Sequence, residues 1–215
     1  MSRFFSHSKI QSRDKISLVL SLIRHNERDI LEIGCGGGEI TRHLNVMGKR
    51  VVGVEIDQDK ARIAKRFCKE LITGDIESKE TINAVRSLNY HYDIILCSEV
   101  LEHLKHPEQT LQKLHTFLEP GAAILVVLPN VAFYKTRLML LAGRWGYADE
   151  GILDRTHLRF FTKETAELLL IDTGYKIITS QATHYSSHYA FIYDRLVKWF
   201  PRLFGEQFVI RATLA

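Results

Sequence analysis

The stretch Leu31-Glu-Ile-Gly-Cys-Gly-Gly-Gly38 constrains this chain more than any other, because a short apolar run stops abruptly in glycines. A buried strand over Asp29–Ile33, a glycine loop, and a helical pattern from Ile40 to Met47 would bring bare backbone against a ligand at a helix N-terminus. A side chain at the glycine positions would hold that ligand away. Such loops also serve dinucleotides and phosphates, so the neighbouring residues have to discriminate. The dinucleotide pattern G-x-G-x-x-G counted from Gly34 needs glycine at 39, where Glu39 stands. No Gly-Lys-Ser/Thr follows, which sets a phosphate loop aside.

Glu32 lies two residues before the first glycine, where an acid would repel a pyrophosphate. An acidic rim suits a nucleoside that carries positive charge and no phosphate, as S-adenosylmethionine does through its sulfonium and amino groups. Glu55 ends the next strand, Arg50–Glu55, about twenty residues on, placed to accept from ribose hydroxyls. That reading alone fits NAD as well. Asp75, in Thr73-Gly-Asp-Ile76, is placed to accept from an adenine amino group; the plainer alternative is a turn or helix cap before Glu77.

Strand and helix patterns alternate along the chain. Helix is expected from about Asp14 to His25, over Gln58–Lys69, around Pro107–Leu118 and over Lys163–Asp172. Strands are expected at Glu70–Thr73, Tyr92–Cys97, Ala122–Leu128, Tyr175–Ser180 and Gln207–Ala212. This alternation predicts an α/β fold: a three-layer, Rossmann-like sandwich with a mostly parallel sheet and an antiparallel hairpin at one edge. At 215 residues the chain fits one domain, with an N-terminal helix at about 14–26 and a substrate or lid insertion at about 130–162. That insertion follows a strand's carboxyl end, where open α/β sheets bind ligands.

Charge and cysteine usage narrow the function further. Twenty-nine basic against 25 acidic residues, with no basic block, point away from nucleic acid. Cys35, Cys68 and Cys97 are odd in number and lack C-x-x-C spacing, which fits a reducing compartment without a disulfide framework or zinc site. Met1–Ile10 has no apolar region long enough for export, and no run approaches a membrane span, so a cytoplasmic location is expected.

In order, Leu31–Gly38, Val52–Asp57, Gly74–Ile76, Tyr92–His103 and Leu118–Gly121 resemble the successive motifs of class I S-adenosylmethionine-dependent methyltransferases. Within that superfamily the chain is similar to ubiquinone-biosynthesis O-methyltransferases and to methyltransferases of bacterial surface-polysaccharide clusters. The second likeness rests on Pro129-Asn130 and Gly151-Ile-Leu-Asp-Arg-Thr-His-Leu-Arg-Phe-Phe-Thr162. The resemblance implies a seven-stranded sheet with its last strand antiparallel. It also implies S-adenosylmethionine as cofactor, S-adenosylhomocysteine as product, and cofactor contacts at Glu32, Gly34, Cys35, Gly36, Glu55, Ile56, Asp75, Ile76 and the backbone near Cys97.

For the acceptor, Cys97-Ser-Glu-Val100 stands where base-methylating enzymes carry an Asn/Asp-Pro-Pro or Pro-Cys element, which again argues against nucleic acid. A small molecule is expected, with O-methylation of a sugar, sugar nucleotide or lipid-linked glycan ahead of a quinone-like phenol. An NAD-dependent oxidoreductase and a non-catalytic nucleotide-binding module are the competing classes. His157 in the lid is the candidate base, Arg155 and Arg159 are candidates to hold an anionic substrate group, and Tyr134, Arg137, Trp145 and Tyr147 are candidates for the pocket wall. Glu99, Glu102 and His103 have ligand chemistry for a divalent cation, but a helix-bracing role outweighs it and no metal is assigned. The aromatic and basic tail Phe191–Phe204 reads as packing in preference to peripheral membrane contact.

Overall fold

The computed structural model describes residues 8–184 and 190–215, with side chains described from residue 15 and, after the gap, from residue 193. Of Met1–Ile10, where no export segment is expected, residues 1–7 lie outside that range and residues 8–10 carry no described side chain. The chain opens with α1 (Ser8–Ser21), β1 (Asp29–Ile33), α2 (Glu39–Val46), β2 (Arg50–Glu55), α3 (Gln58–Ala64), β3 (Glu70–Thr73), α4 (Lys79–Ser87) and β4 (Tyr92–Ser98). It continues with α5 (Pro107–Leu114), β5 (Leu118–Pro129), α6 (Tyr134–Leu141), α7 (Lys163–Asp172), β6 (Tyr175–Thr183), α8 (Ala190–Trp199), α9 (Pro201–Phe204) and β7 (Gln207–Leu214).

The seven strands form one sheet in the order β3-β2-β1-β4-β5-β7-β6. β1 pairs in parallel with both β2 and β4, whereas β7 runs antiparallel between β5 and β6. The expected hairpin is therefore present, with its second strand inserted inward and β6 left at the edge. Alternation along each strand feeds two cores. Ile30, Val51, Ile94, Leu96 and Val209 pack with α1 and α2 on one face. Leu31, Ile33, Val54, Ile95, Cys97 and Ile124 pack with α4, α5 and α7 on the other. Both faces are covered, as near-continuous apolar strands require.

Four elements escape the sequence pattern, the short α9 among them. α4 begins at a Ser78 N-cap, α6 lies inside the 130–162 insertion, and α8 falls in the aromatic tail. α6 carries no apolar stripe: Leu138, Leu140 and Leu141 are all exposed, so periodicity gives no signal there.

A buried cluster fixes the exit of α1. Arg211 of β7 pairs with Glu27 and donates to the Leu22 carbonyl at 2.6 Å, while the Lys49 ammonium donates to the carbonyls of Arg24, His25 and Glu27. Leaving one member of a buried pair uncompensated costs several kcal/mol, whereas replacing both can be nearly neutral. Arg211→Met should therefore destabilise the chain by about 3–5 kcal/mol in urea unfolding, and Arg211→Met/Glu27→Leu should recover most of that loss.

Candidate functional site

Because β1, β2 and β4 are parallel neighbours, their carboxyl ends open on one side. The segments that follow them, with that after β3, enclose a cleft of about 430 Å³. The loop after β1 turns at once, as Gly34 and Cys35 both donate to the Val54 carbonyl. Gly34 has φ +68°, and a Cβ there would collide with a methyl of Val100. Gly36, φ +54°, would project a Cβ into space with nothing within 4 Å, on the cleft side of the loop. The strand–glycine–helix sequence thus leaves room for a ligand against backbone.

Glu55 is buried at the end of β2. Its carboxylate accepts from Gly36 N–H at 2.7 Å and Asp57 N–H at 2.9 Å, which ties the first loop to the second. Asp75 accepts from Glu77 N–H at 2.8 Å, the turn foreseen as its plainer role, and also lines the cleft. Of the nine residues expected at the cofactor, Gly34, Gly36, Glu55, Ile56, Asp75 and Ile76 line this cleft. Glu32, Cys35 and Cys97 do not. Glu32 lies beneath the loop and accepts from the Thr41 hydroxyl at 2.6 Å. Burial, with the Glu55 charge adding to it, pushes its carboxyl up to about 7. Cys35 turns inward, where a Cβ on Gly53 would meet its sulfur together with that of Cys68. The Cys97 side chain is fully buried, its thiol pushed up to about 12 by burial, and Glu99 and Val100 reach the cleft in its place.

Glu99 holds φ +55°, a left-handed conformation unusual for a non-glycine residue. Its carboxylate pairs with Lys15 of α1 and accepts from the Gln207 amide at the start of β7. The sequence reading missed Lys15. Its signal was a cation one helical turn before Val19, on the apolar face of α1.

The 130–162 insertion folds back over the rim of the cleft. Leu158 and Arg159 N–H groups donate to the Glu102 carbonyl at 2.8 and 3.0 Å, and Asn130 bridges Phe161. This brings His157 beside His103, with ring centroids 4.7 Å apart. His157 is half-buried, and its Nδ1 lies 3.2 Å from the Ile152 carbonyl. A carbonyl only accepts, so Nδ1 carries the proton and Nε2 keeps its lone pair. Burial, with the adjacent His103, lowers its proton affinity below the usual imidazole range. Beneath the pair sits Glu102, fully buried, with neither carboxylate oxygen hydrogen-bonded. Burial, then the Glu99 charge, raises its carboxyl well above the usual range.

Ligand atoms of Glu102, His103 and His157 all lie within 4.8 Å of one another, so together they could hold a divalent cation. The cluster differs in one member from the candidates named in the sequence, to which no metal is assigned: Glu99 is engaged by Lys15 and Gln207, and His157 from the 130–162 segment stands with Glu102 and His103. The remaining substrate candidates sit elsewhere. Arg155 pairs with Asp149 at 2.8 Å, and Arg159 donates to the Lys105 carbonyl at 2.8 Å. Tyr134 packs its ring against Phe133 and Phe204 and lines neither this cleft nor the cavity beside α9. Trp145 stacks edge-on against Phe160 and Tyr147 at the exposed surface of the insertion.

Comparison with known proteins agrees with this architecture. A family model described as a methyltransferase domain matches residues 7–180. An S-adenosylmethionine-dependent methyltransferase from Archaeoglobus fulgidus superposes with a TM-score of 0.64 at 19% identity, covering 97% of this chain and 99% of that one. Magnesium protoporphyrin IX methyltransferase from Synechocystis PCC 6803, solved with bound S-adenosylhomocysteine, superposes at 0.67 and 14% identity over 100% and 90% of the two chains. In sequence, the chain is 28% identical over 95 residues to a ubiquinone biosynthesis O-methyltransferase of Nitrosospira multiformis, covering 44% of this chain and 40% of the relative. It is 30% identical over 159 residues to the mitochondrial protein of that name from Mus musculus, covering 70% and 42%. The chain spans less than half the length of these curated relatives. It belongs to the methyltransferase-domain family.

The cleft has the character expected of a site for S-adenosylmethionine: backbone is bare at Gly36, and Glu55, Asp75 and Glu99 make its wall acidic. Glu32 generates a pH dependence. Because its carboxyl is raised, the stability it contributes is complete at low pH and is lost as pH rises through about 7. Affinity for the cationic cofactor runs the other way, since only ionised Glu32 attracts it. S-adenosylmethionine should bind about tenfold more weakly at pH 6 than at pH 8, and Glu32→Gln should flatten that dependence in calorimetric titrations.

Proposed function

We propose that this chain transfers the methyl group of S-adenosylmethionine to a hydroxyl oxygen of a small molecule, a sugar-type alcohol ahead of a phenol, with His157 as the base. The placement of His157 carries the reading: a lid imidazole with Nε2 unprotonated, half-buried beside His103, whose ring borders the cofactor cleft. When bound, the cofactor supplies a methyl already attached to a positive sulfur, so displacement needs alignment above all. Gly34 and Gly36 leave space along the loop, Glu55 and Asp75 offer acceptors to the nucleoside, Glu99 stands on the cleft wall toward its cationic end, and Glu32 beneath the loop adds negative charge once ionised. His157 Nε2 takes the proton that leaves the acceptor hydroxyl as the new C–O bond forms. An aliphatic alcohol needs this base more than an acidic phenol does. His157→Ala should lower turnover by about 10²- to 10⁴-fold with cofactor affinity unchanged; unaltered turnover would remove His157 from the role.

A quinone-like phenol is the second reading for the acceptor, and the ubiquinone biosynthesis relatives favour it. Assays offering sugar nucleotides, glycans and catechol-type phenols side by side distinguish the two. The orphaned Glu102 carboxylate favours a second reading of the cluster, in which Glu102, His103 and His157 hold a divalent cation. Full activity after dialysis against EDTA is the outcome expected if His157 acts as the base. Loss of activity restored by Mg²⁺ or Mn²⁺ would move the three residues into a metal site.

A further inference from the structure

A second cavity, of about 530 Å³, shares no lining residue with the cofactor cleft. It opens where β5 ends and α9 begins, and three cations from three helices border it: Arg137 of α6, Lys163 of α7 and Arg202 of α9. Glu164 is the one acid on its wall. Lys163 is answered by Glu167 at 2.6 Å, but the two arginines are less fully matched. Arg137 donates from Nε to the Ala132 carbonyl and has no carboxylate within ion-pair distance among the described residues. Arg202 spends only Nε, on Glu164 at 2.7 Å, and its two terminal nitrogens have no protein acceptor among the described residues.

The cavity is also rigidly built. Asn130, fully buried, donates to the carbonyls of Arg202 and Gly205 and accepts from Ala132 N–H. One amide therefore ties the backbone of Arg202 to that of Ala132, whose carbonyl holds the Arg137 side chain. Trp199 and Phe200, 70% and 55% exposed, stand at the wall with their faces unused by the core. Two guanidinium forks and a lysine beside exposed rings form a surface for a group of several phosphate oxygens joined to something flat or apolar.

We propose that this cavity binds the diphosphate of the carrier on which the acceptor sugar is presented, either a nucleoside diphosphate or a polyprenyl diphosphate. The proposal rests on the sugar-hydroxyl reading above. Thr162 on the cavity wall is five residues from His157, at most roughly 17 Å of extended chain. The diphosphate is bonded directly to the anomeric carbon of the first sugar it carries. A separation near that limit therefore calls for a methylated sugar one or two residues further along a carrier-linked glycan, with the diphosphate between Arg137 and Arg202.

The test is binding, read without turnover. Inorganic diphosphate, uridine diphosphate and phosphatidylcholine vesicles carrying a polyprenyl diphosphate are titrated against the full chain and against Arg137→Gln and Arg202→Gln. Saturable binding of inorganic diphosphate is expected, weakened about tenfold in each variant, with S-adenosylhomocysteine affinity unchanged. Tighter binding of uridine diphosphate then assigns a soluble carrier, and tighter vesicle capture assigns a lipid carrier. The proposal is overturned by no saturable binding to any probe, by variants that bind like the parent, or by equal capture on phosphatidylglycerol vesicles lacking the diphosphate. Retained methylation of a sugar or phenol without diphosphate binding would sink this inference alone, while an intact His157→Ala turnover would sink the base alone.

Discussion

Everything at the cofactor cleft depends on the parallel pairing of β1 with β2 on one side and β4 on the other. Parallel neighbours end at the same side of the sheet, so the segments after Ile33, Glu55 and Ser98 must meet there. Glu55 then makes the meeting specific. Its two oxygens are shared between Gly36 of the first loop and Asp57 of the second, so one carboxylate sets the distance between them. Antiparallel pairing at either side of β1 would send one of these segments to the opposite end. The one strand that does run backwards, β7, lies beyond β5, where it contributes Gln207 to Glu99 and Arg211 to the anchor of α1.

The cofactor half of the molecule was legible in the sequence because its signals are local. A strand, a glycine loop and an acid at the next strand's end occupy little more than twenty consecutive residues, and six of nine expected contacts line the cleft. The three side chains that do not line it point elsewhere, although the expectation at Cys97 concerned the nearby backbone, where Glu99 and Val100 do reach the cleft. Cys97 faces the core and Glu32 sits one layer below the surface by strand alternation, and Cys35 turns toward Cys68 with the loop after β1.

The surroundings of Glu99, His103 and His157 were less legible because their contacts are distant in sequence. Lys15 meets Glu99 across 84 residues, and Thr156 meets His103 across 53. Neither pairing leaves a periodic trace. α6 hid for a related reason: it exposes Leu138, Leu140 and Leu141, so no apolar stripe announces it. His157 could be singled out from its neighbours, but its partnership with a buried, unsatisfied Glu102 required the folded chain.

The bridge between Asn130 and Phe161 has a consequence for how such a chain can diversify. It brings the two ends of the insertion side by side at the end of β5, so the scaffold presents a pair of adjacent attachment points and not a gap to be spanned. A segment hung from adjacent points can lengthen or shorten with only a small change in closure entropy, because that cost grows as the logarithm of loop length. The sheet, the glycine loop and Glu55 lie outside the segment and are indifferent to its size. The segment can therefore be exchanged while the cleft at the ends of β1, β2 and β4 stays as it is.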